Sequence, residues 1–142
     1  MNRFNEIIKL VKASKSTVIL TGAGISTESG LPDFRSDNGF WTKNKPIQFN
    51  EFLLSEEKQR LSWERNIELH SLLKNIKPNL GHMFVEKITS LQKNNFLITQ
   101  NIDGLHQKSG VPKNKIIEIH GSAIKAACLE CEAKQNILDF HD

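Results

Sequence analysis

The sequence contains 142 residues, the length of a single domain, and a chain of this size can bury roughly 70% of its unfolded surface. Its formal net charge of +3 and pI of about 8.9 come from lysines scattered along the chain, without a block of like charge, so nothing supports nucleic-acid binding. Neither a signal-peptide core nor an apolar run long enough to span a bilayer is found, and we expect a cytoplasmic protein without a membrane partner.

The first two predicted elements are a short helix and a strand. Apolar residues at helical spacing predict a helix that ends near Ala13 and packs one face against the core. That face consists of Phe4, Ile7, Ile8 and Val11. Residues 17–20 are β-branched or apolar throughout, which predicts a strand covered on both faces, as in a parallel sheet.

A glycine-rich segment, residues 21–36, follows this strand directly. Gly22 and Gly24 leave room for the backbone to turn and to approach an anionic ligand, which predicts a phosphate-binding turn into a helix. A plain tight turn is the alternative, because a glycine pair alone is a weak signal. Gly30 comes too late for the ordinary dinucleotide fingerprint and no acid ends a second strand at the expected distance, which argues against a hydride-transferring dehydrogenase.

The same segment ends in a carboxylate, an aromatic ring and a guanidinium, supplied by Asp33, Phe34 and Arg35. Pro32 stiffens this loop, which could close over a nicotinamide and its ribose. Residues 36–50 predict irregular structure. Residues 50–76 predict two helical pieces divided near Ser55. Their predicted buried positions are Leu61, Leu72, Leu73 and Ile76.

The next predicted elements are a helix and two more strands. Asn79 is expected to cap a helix that runs to about Lys93, with Phe84, Val85, Ile88 and Leu91 on its inner face and His82 in a structural role. Strands are predicted at 96–99 and 115–119, neighbouring the first in a parallel sheet.

Polar residues follow both of these strands. Residues 100–103 (Gln100, Asn101, Ile102 and Asp103) lie where ligands of open α/β sheets collect, although an Asx turn would explain the same composition. His120 ends the later strand, where an imidazole is a plausible general base because it titrates near neutrality. Cys128 and Cys131, spaced C-x-x-C, indicate metal or redox chemistry more than a structural disulfide.

Four motifs, in this order, resemble those of the sirtuin family of NAD-dependent protein lysine deacylases. They are residues 21–36, 99–106, 118–122 and the C-x-x-C pair, and the resemblance runs from about residue 16 to residue 131. It implies NAD as cofactor and acylated lysines of proteins as substrates. The residues that it places around NAD are Gly22, Ala23, Gly24, Thr27, Asp33, Phe34, Arg35, Gln100, Asn101, Ile102, Asp103 and His120.

The resemblance also implies a mechanism. The acyl oxygen attacks the ribose carbon that bears nicotinamide, with Asn101 near the attacking oxygen. His120 then deprotonates a ribose hydroxyl, so that the products are free lysine, nicotinamide and O-acyl-ADP-ribose. Asn101 and His120 are therefore the expected catalytic residues. ADP-ribosyl transfer from the same pocket and a non-catalytic fragment of a sirtuin are the alternatives.

The expected fold is an α/β partial Rossmann-like parallel sheet with a helical insertion and the start of a zinc-binding module. Residues 1–49 and 77–122 would form the Rossmann-like portion, 50–76 the insertion and 123–142 the start of the zinc module. Cys128 and Cys131 supply two thiolates, whereas a structural zinc site needs four ligands, and nothing in the spacing favours His141 as a third. We therefore expect half of a zinc site, in a chain that looks truncated and inactive alone.

Overall fold

The computed structural model describes residues 3–33 and 45–137, apart from the side chain of Phe4. Helix α1 (Arg3–Ala13) leads to strand β1 (Val18–Thr21), which a 3-10 helix (Ala23–Ser29) follows. Helices α2 (Phe49–Leu54), α3 (Glu56–Lys74) and α4 (Leu80–Leu91) precede strand β2 (Phe96–Thr99). Helix α5 (Leu105–Lys108), a 3-10 turn (Lys113–Lys115) and strand β3 (Ile116–Glu118) come next, before strands β4 (Lys125–Ala127) and β5 (Lys134–Asn136).

Three parallel strands form the main sheet, in the order β1-β2-β3. Thr21 lies opposite Thr99, and Thr99 lies opposite Glu118, so the carboxyl ends of the three strands form one row. This confirms the predicted parallel sheet of neighbouring strands. The predicted bounds differ slightly from the observed ones: β1 lies one residue later than predicted, and β3 is one residue shorter at each end. A separate antiparallel pair, β4 and β5, carries the cysteines at its turn.

Side-chain caps define the helix boundaries. The Ser55 side chain accepts a hydrogen bond from the Lys58 N–H at 3.3 Å and separates α2 from α3, which confirms the predicted division. The Asn79 Oδ1 accepts from the Gly81 N–H at 2.8 Å and starts α4 where it was predicted. Helix α4 ends at Leu91, two residues before the expected position.

The core consists of two apolar clusters. One lies between α4 and the inner face of the sheet and contains Val85, Leu97 and Val111, with Ile19, Ile25 and Ile116 packed against it. The other lies beneath α3 and α5 and contains Leu31, Leu73, Leu105 and Ala123. The Lys108 Nζ donates to the Leu73 carbonyl at 2.8 Å, which ties α5 to the end of α3 beside this second cluster.

Several positions predicted to be buried are exposed. On α1, Ile7 is 56% and Ile8 43% exposed, and on β1 Val18 and Leu20 are 61% and 64% exposed, so the predictions of a core-facing helix and of a strand covered on both faces were wrong. Leu72, Phe84 and Leu91 are also exposed. Burial needs an opposing layer, and no part of the chain that the structure describes covers these side chains. No helix within residues 3–33 and 45–137 is long and apolar enough to cross a lipid bilayer.

Candidate active site

The carboxyl ends of the three parallel strands bring the predicted site residues to one edge of the sheet. Asn101 lies two residues beyond Thr99, and His120 lies two residues beyond Glu118, the register partner of Thr99. The Ile119 N–H donates to the Thr99 carbonyl at 3.1 Å, which keeps the chain paired beyond the end of β3. His120 is exposed at this edge.

The glycine-rich segment enters this edge from β1. Gly22 is extended, and a 3-10 helix replaces the expected α-helix from Ala23 onward. A Cβ at Gly24 would meet no atom of the described residues within 4 Å, which leaves space beside this backbone for a ligand. Gly30 ends the turn at φ 94°, a conformation that L side chains rarely adopt, which accounts for its late position in the motif.

A buried polar cluster, formed by Ser26, His82, Asn101 and Asp103, joins this turn to the end of β2. The Ser26 hydroxyl donates to Asp103 Oδ2 at 2.7 Å and accepts from Asn101 Nδ2 at 3.2 Å. The same Asn101 Nδ2 donates to the Gly22 carbonyl at 3.2 Å. His82 Nε2 lies 3.4 Å from the Ser26 hydroxyl. Ser26, Asn101 and Asp103 are at most 8% exposed, so these bonds form in a largely dry environment.

Asp103 also fixes the local backbone. Its Oδ1 accepts from the Leu105 N–H at 2.9 Å, at the start of α5. The preceding Gly104 has φ 71°, and a Cβ there would collide with Cδ1 of Ile124. Glycine at position 104, the N-cap of α5, is favoured chiefly by this positive φ, because the end of the Ile124 side chain can shift away.

A second buried histidine, His106, lies next to His82 of the cluster, with their ring centroids 4.9 Å apart. Burial lowers the pKa of His82, with the Asp103 carboxylate opposing that shift. Burial, reinforced by the neighbouring His82, lowers the pKa of His106 to about 4, again against the influence of Asp103. Asn79 holds His82 in place, because its N–H and its Oδ1 lie 3.3 Å and 3.1 Å from His82 Nδ1.

A pocket of about 50 Å³ opens beside the polar cluster. Its walls are mainly apolar, and its polar lining comes from Ser26, Asn101 and Asp103. Asn101 Oδ1 is buried and has no hydrogen-bond partner among residues 3–33 and 45–137. Because an unpaired buried acceptor costs free energy, this carbonyl is suited to a donor supplied by a ligand or by bound water. The apolar lining residues are Ala23, Leu31, Pro32, Leu69, Leu72, Leu73 and Ile102.

The predicted site residues divide into three groups. Ala23, Asn101, Ile102 and Asp103 meet at the pocket, and Gly22 contacts Asn101. Thr27, Gln100 and His120 are exposed and do not line the pocket. The Thr27 hydroxyl donates to the Gly24 carbonyl at 2.9 Å. Asp33 is half-buried at the end of the first described segment, whereas Phe34 and Arg35 lie outside the described residues.

Sequence reasoning missed Ser26 as a site residue and gave no role to Thr21, Thr99 or His106. Ser26 connects partners that are 56 to 77 residues away in sequence, which no local pattern reveals. The available signal was the placement of Ser26 within the glycine-rich segment and of His106 three residues after Asp103.

The C-x-x-C pair lies at the turn between β4 and β5. Hydrogen bonds from the backbone N–H groups of Cys131 and Glu130, with a smaller contribution from the Cys131 side chain, lower the pKa of Cys128. Both cysteines are exposed and free. No group of three or more His, Cys, Asp or Glu side chains suited to a metal ion occurs among residues 3–33 and 45–137.

Comparison with known proteins identifies the family. Residues 22–141 match the model of the Sir2 family, a range that includes the glycine-rich turn, the polar cluster, His120 and both cysteines. The chain belongs to the Sir2 family. Its mixed α/β architecture with a parallel sheet is the Rossmann-like fold of Sir2 structures.

Curated Sir2 relatives resemble nearly the whole chain. An NAD-dependent protein deacetylase of Rhodopseudomonas palustris is 39% identical over 131 residues, which cover 92% of this chain and 51% of the relative. The NAD-dependent protein deacylase sir-2.3 of Caenorhabditis elegans is 40% identical, covering 99% of this chain and 50% of the relative. The chain thus spans about half the length of the curated relatives it matches.

Solved Sir2 structures give the same result. A complex described as Sir2-p53 peptide-NAD+ superimposes with a TM-score of 0.74 at 35% identity, over 98% of this chain and 54% of that one. A mutant Sir2 homologue bound to ADP ribose reaches a TM-score of 0.81 at 31% identity, over 96% of this chain and 53% of the homologue.

Proposed function

We propose that this chain supplies the nicotinamide pocket and the general base of an NAD-dependent protein lysine deacylase. The observation that carries the proposal is the mainly apolar pocket at the ends of β1 and β2. It is lined by Asp103 and by Asn101, whose Oδ1 is buried without a partner among the described residues. The names of the relatives and of the NAD-bound neighbour support the same cofactor and reaction class.

The pocket chemistry suits a planar aromatic amide. Leu31, Leu73 and Ile102 offer apolar contacts to a ring, and Asp103 offers carboxylate oxygens to an amide N–H. The Ser26 hydroxyl and the Leu105 N–H already hold the two Asp103 oxygens, so the carboxylate is oriented before a ligand arrives. Such preorganisation lets binding free energy go into bringing the ribose carbon close to the acyl oxygen.

The neighbouring residues then have separate roles in the proposed reaction. Asn101 lies beside the attacking oxygen at the ribose, and its Oδ1, which has no partner among the described residues, accepts from a ribose hydroxyl. Gly22, Ala23, Gly24 and Thr27 bind the pyrophosphate, and the loop with Asp33, Phe34 and Arg35 covers the nicotinamide. Gln100 contacts the ribose.

His120 acts after nicotinamide has left. It lies at the same sheet edge as Asn101 and is exposed to an incoming substrate. Its imidazole takes a proton from a ribose hydroxyl, whose oxygen attacks the acyl carbon. Addition of one water to the resulting adduct then breaks the bond between the acyl carbon and the lysine nitrogen, which releases free lysine and O-acyl-ADP-ribose. Acylated lysines of proteins are the proposed substrates.

We also propose that residues 123–142 begin a zinc module in which Cys128 and Cys131 supply two of four thiolate ligands. The hydrogen bonds that lower the pKa of Cys128 favour the thiolate that zinc requires. Bound zinc would tie the β4–β5 hairpin to the segment that carries the remaining ligands. Residues 1–49 and 77–122 form the Rossmann-like portion of the proposed division, and 50–76 the helical insertion.

The function is tested by separating nicotinamide cleavage from acyl transfer in the full protein that carries these residues. With an acetyl-lysine peptide and NAD+, the exchange of labelled nicotinamide reports the first step, and O-acetyl-ADP-ribose reports the second. His120→Ala is expected to lower product formation by roughly 10²–10⁴-fold while exchange persists, because His120 acts only after cleavage. Asp103→Asn is expected to weaken both.

Glu68→Gln, on the exposed side of α3, is the matched control and should change neither readout. If the unaltered protein binds no NAD+, or if His120→Ala forms product at the normal rate, the proposed function is wrong.

A further inference from the structure

His106 is a deeply buried titratable group that the proposed reaction does not use. It lies in α5 at 1% exposure, three residues after Asp103, and it is not among the side chains that line the pocket. Its carbonyl accepts from the Ser109 hydroxyl at 2.8 Å and from the Val111 N–H at 3.1 Å. The backbone beneath the ring is therefore fixed by two hydrogen bonds.

A chain of short hydrogen bonds leads from this ring to Asn101. His106 Nε2 lies 2.9 Å from the Thr21 hydroxyl, and that hydroxyl donates to the Thr99 hydroxyl at 2.9 Å. The Thr99 hydroxyl in turn accepts from the Asn101 N–H at 3.0 Å. Because the Thr21 proton is directed to Thr99, the Thr21 oxygen accepts from His106, which requires a proton on Nε2.

The ring is held there at a cost that packing alone does not explain. His106 Nδ1 is buried and has no hydrogen-bond partner in the part of the chain that the structure describes. An apolar side chain of similar size would avoid that cost, since replacing buried polar groups by apolar ones of the same shape is often nearly neutral. Burial and the nearby His82 keep the pKa of His106 at about 4, so the ring is neutral and its Nε2–H remains a directed donor.

The chain of hydrogen bonds affects Asn101 at both its backbone and its side chain. Thr21 precedes Gly22, whose carbonyl accepts from Asn101 Nδ2, and Thr99 holds the Asn101 backbone N–H. Thr21 and Thr99 are also register partners across β1 and β2. A single donor on α5 thereby restrains the two strand ends between which Asn101 is placed.

We propose that His106 is a positioning residue that fixes Asn101 through the hydroxyls of Thr21 and Thr99. This role rests on the proposed function of Asn101, although the hydrogen-bond chain itself can be tested without any ligand. His106 thereby acts on the site although its side chain does not line the pocket.

The ligand-free test uses ¹⁵N NMR of residues 1–142. The unaltered chain is expected to show His106 neutral at pH 6.5 with its proton on Nε2. Thr21→Val and His106→Leu should shift the Asn101 amide resonance, whereas His106→Gln, which keeps a donor, should shift it less. A proton on Nδ1, or an Asn101 resonance that ignores Thr21→Val, overturns the proposal even where His106→Leu does not fold.

The functional test is a double-substitution cycle for NAD+ affinity, measured by calorimetry on the full protein. Thr21→Val and His106→Leu should each weaken affinity by about tenfold, and the combined variant should be no weaker than either alone because both break one chain. Thr21→Ser, which keeps the hydroxyl that Thr21→Val removes, should retain most of the NAD+ affinity. Losses that add in the combined variant would overturn the chain.

Val85→Ala controls for lost stability, because Val85 is 5% exposed in the other core cluster and outside this chain of bonds. It should lower the melting temperature while NAD+ affinity and the Asn101 resonance stay unchanged, and an equal change in either would assign the His106 effect to general destabilisation. If the unaltered protein binds no NAD+, the proposed function fails, and the NMR result alone decides the role of His106.

Discussion

At the scale of single residues, two buried carboxamides, those of Asn95 and Asn101, differ in the hydrogen bonding of their side-chain oxygens. Asn95 is 1% exposed, and both of its polar side-chain atoms have partners. Its Oδ1 accepts from the Thr17 N–H at 2.9 Å, and its Nδ2 donates to the Ile88 carbonyl at 2.6 Å. Asn101 is 4% exposed, yet its Oδ1 has no partner among the residues that the structure describes. Both polar atoms of the Asn95 side chain are hydrogen-bonded, whereas the oxygen of Asn101, a residue that lines the pocket, is left without a bond by the described residues. This difference is expected if Asn101 contacts a ligand.

The two buried histidines make a prediction about stability and pH. The pKa of His106 is lowered to about 4, so between pH 6.5 and pH 4 the unfolded chain binds a proton that the folded chain does not. The free energy of unfolding must therefore fall as the pH falls through this window, and His106 should account for about 2 kcal/mol by pH 4.5. His82, whose pKa is also lowered, adds to the loss, while Asp103 faces both rings and opposes it.

Urea unfolding of residues 1–142 at a series of pH values measures this slope. His106→Gln, which cannot take up the proton, should flatten the curve between pH 6.5 and pH 4.5 relative to the unaltered chain. His70→Gln, on the half-buried side of α3 and outside the buried polar cluster, is the matched control and should leave the slope in place. Parallel curves for the unaltered chain and His106→Gln would contradict the prediction.

At the scale of elements, local signals predicted boundaries better than burial. The caps at Ser55 and Asn79 depend on a side chain and on backbone N–H groups within three residues, so the sequence contains the whole interaction. Exposure of Leu72 and Phe84 depends on which layer opposes each helix, and that information is not local. Asn101 and Asp103 were predicted as site residues from their place after a strand together with the family resemblance. The positions of Ser26 and His106 depend on contacts between residues 77 and 85 apart in sequence.

The β4–β5 hairpin makes a prediction about metal binding. Its turn presents two exposed cysteines, and backbone hydrogen bonds favour the Cys128 thiolate. Titration with Co²⁺ should produce a thiolate-to-metal absorption band, which Cys131→Ser should reduce to about half because one of two thiolates is removed. Glu132→Asn, which suits the φ of 58° at this exposed position, is the matched control and should leave the band unchanged. A band that survives Cys131→Ser at full intensity would show that the metal binds elsewhere.

At the scale of the whole molecule, the main sheet is covered on one face. Ile19, Leu97 and Ile116 point into the cluster beneath α4, and the alternate residues face the other way. Leu20, Ile98 and Ile117 lie side by side across the three strands on that second face, and Val18 pairs with Phe96 beside them. Leu20 is 64% and Ile117 53% exposed, whereas parallel sheets in folded domains are covered on both faces.

This apolar sheet face should make residues 1–142, produced alone, associate with increasing concentration, because contiguous exposed apolar surface favours contact with another copy or with any apolar partner. Replacing Leu20 and Ile117 together by Gln should shift the chain toward the monomer in sedimentation velocity and reduce binding of a hydrophobic dye. Leu54→Gln is the matched control, because Leu54 on α2 is 88% exposed but lies outside the sheet. Association that persists in the double variant, or that falls equally in Leu54→Gln, would place the sticky surface elsewhere on the molecule.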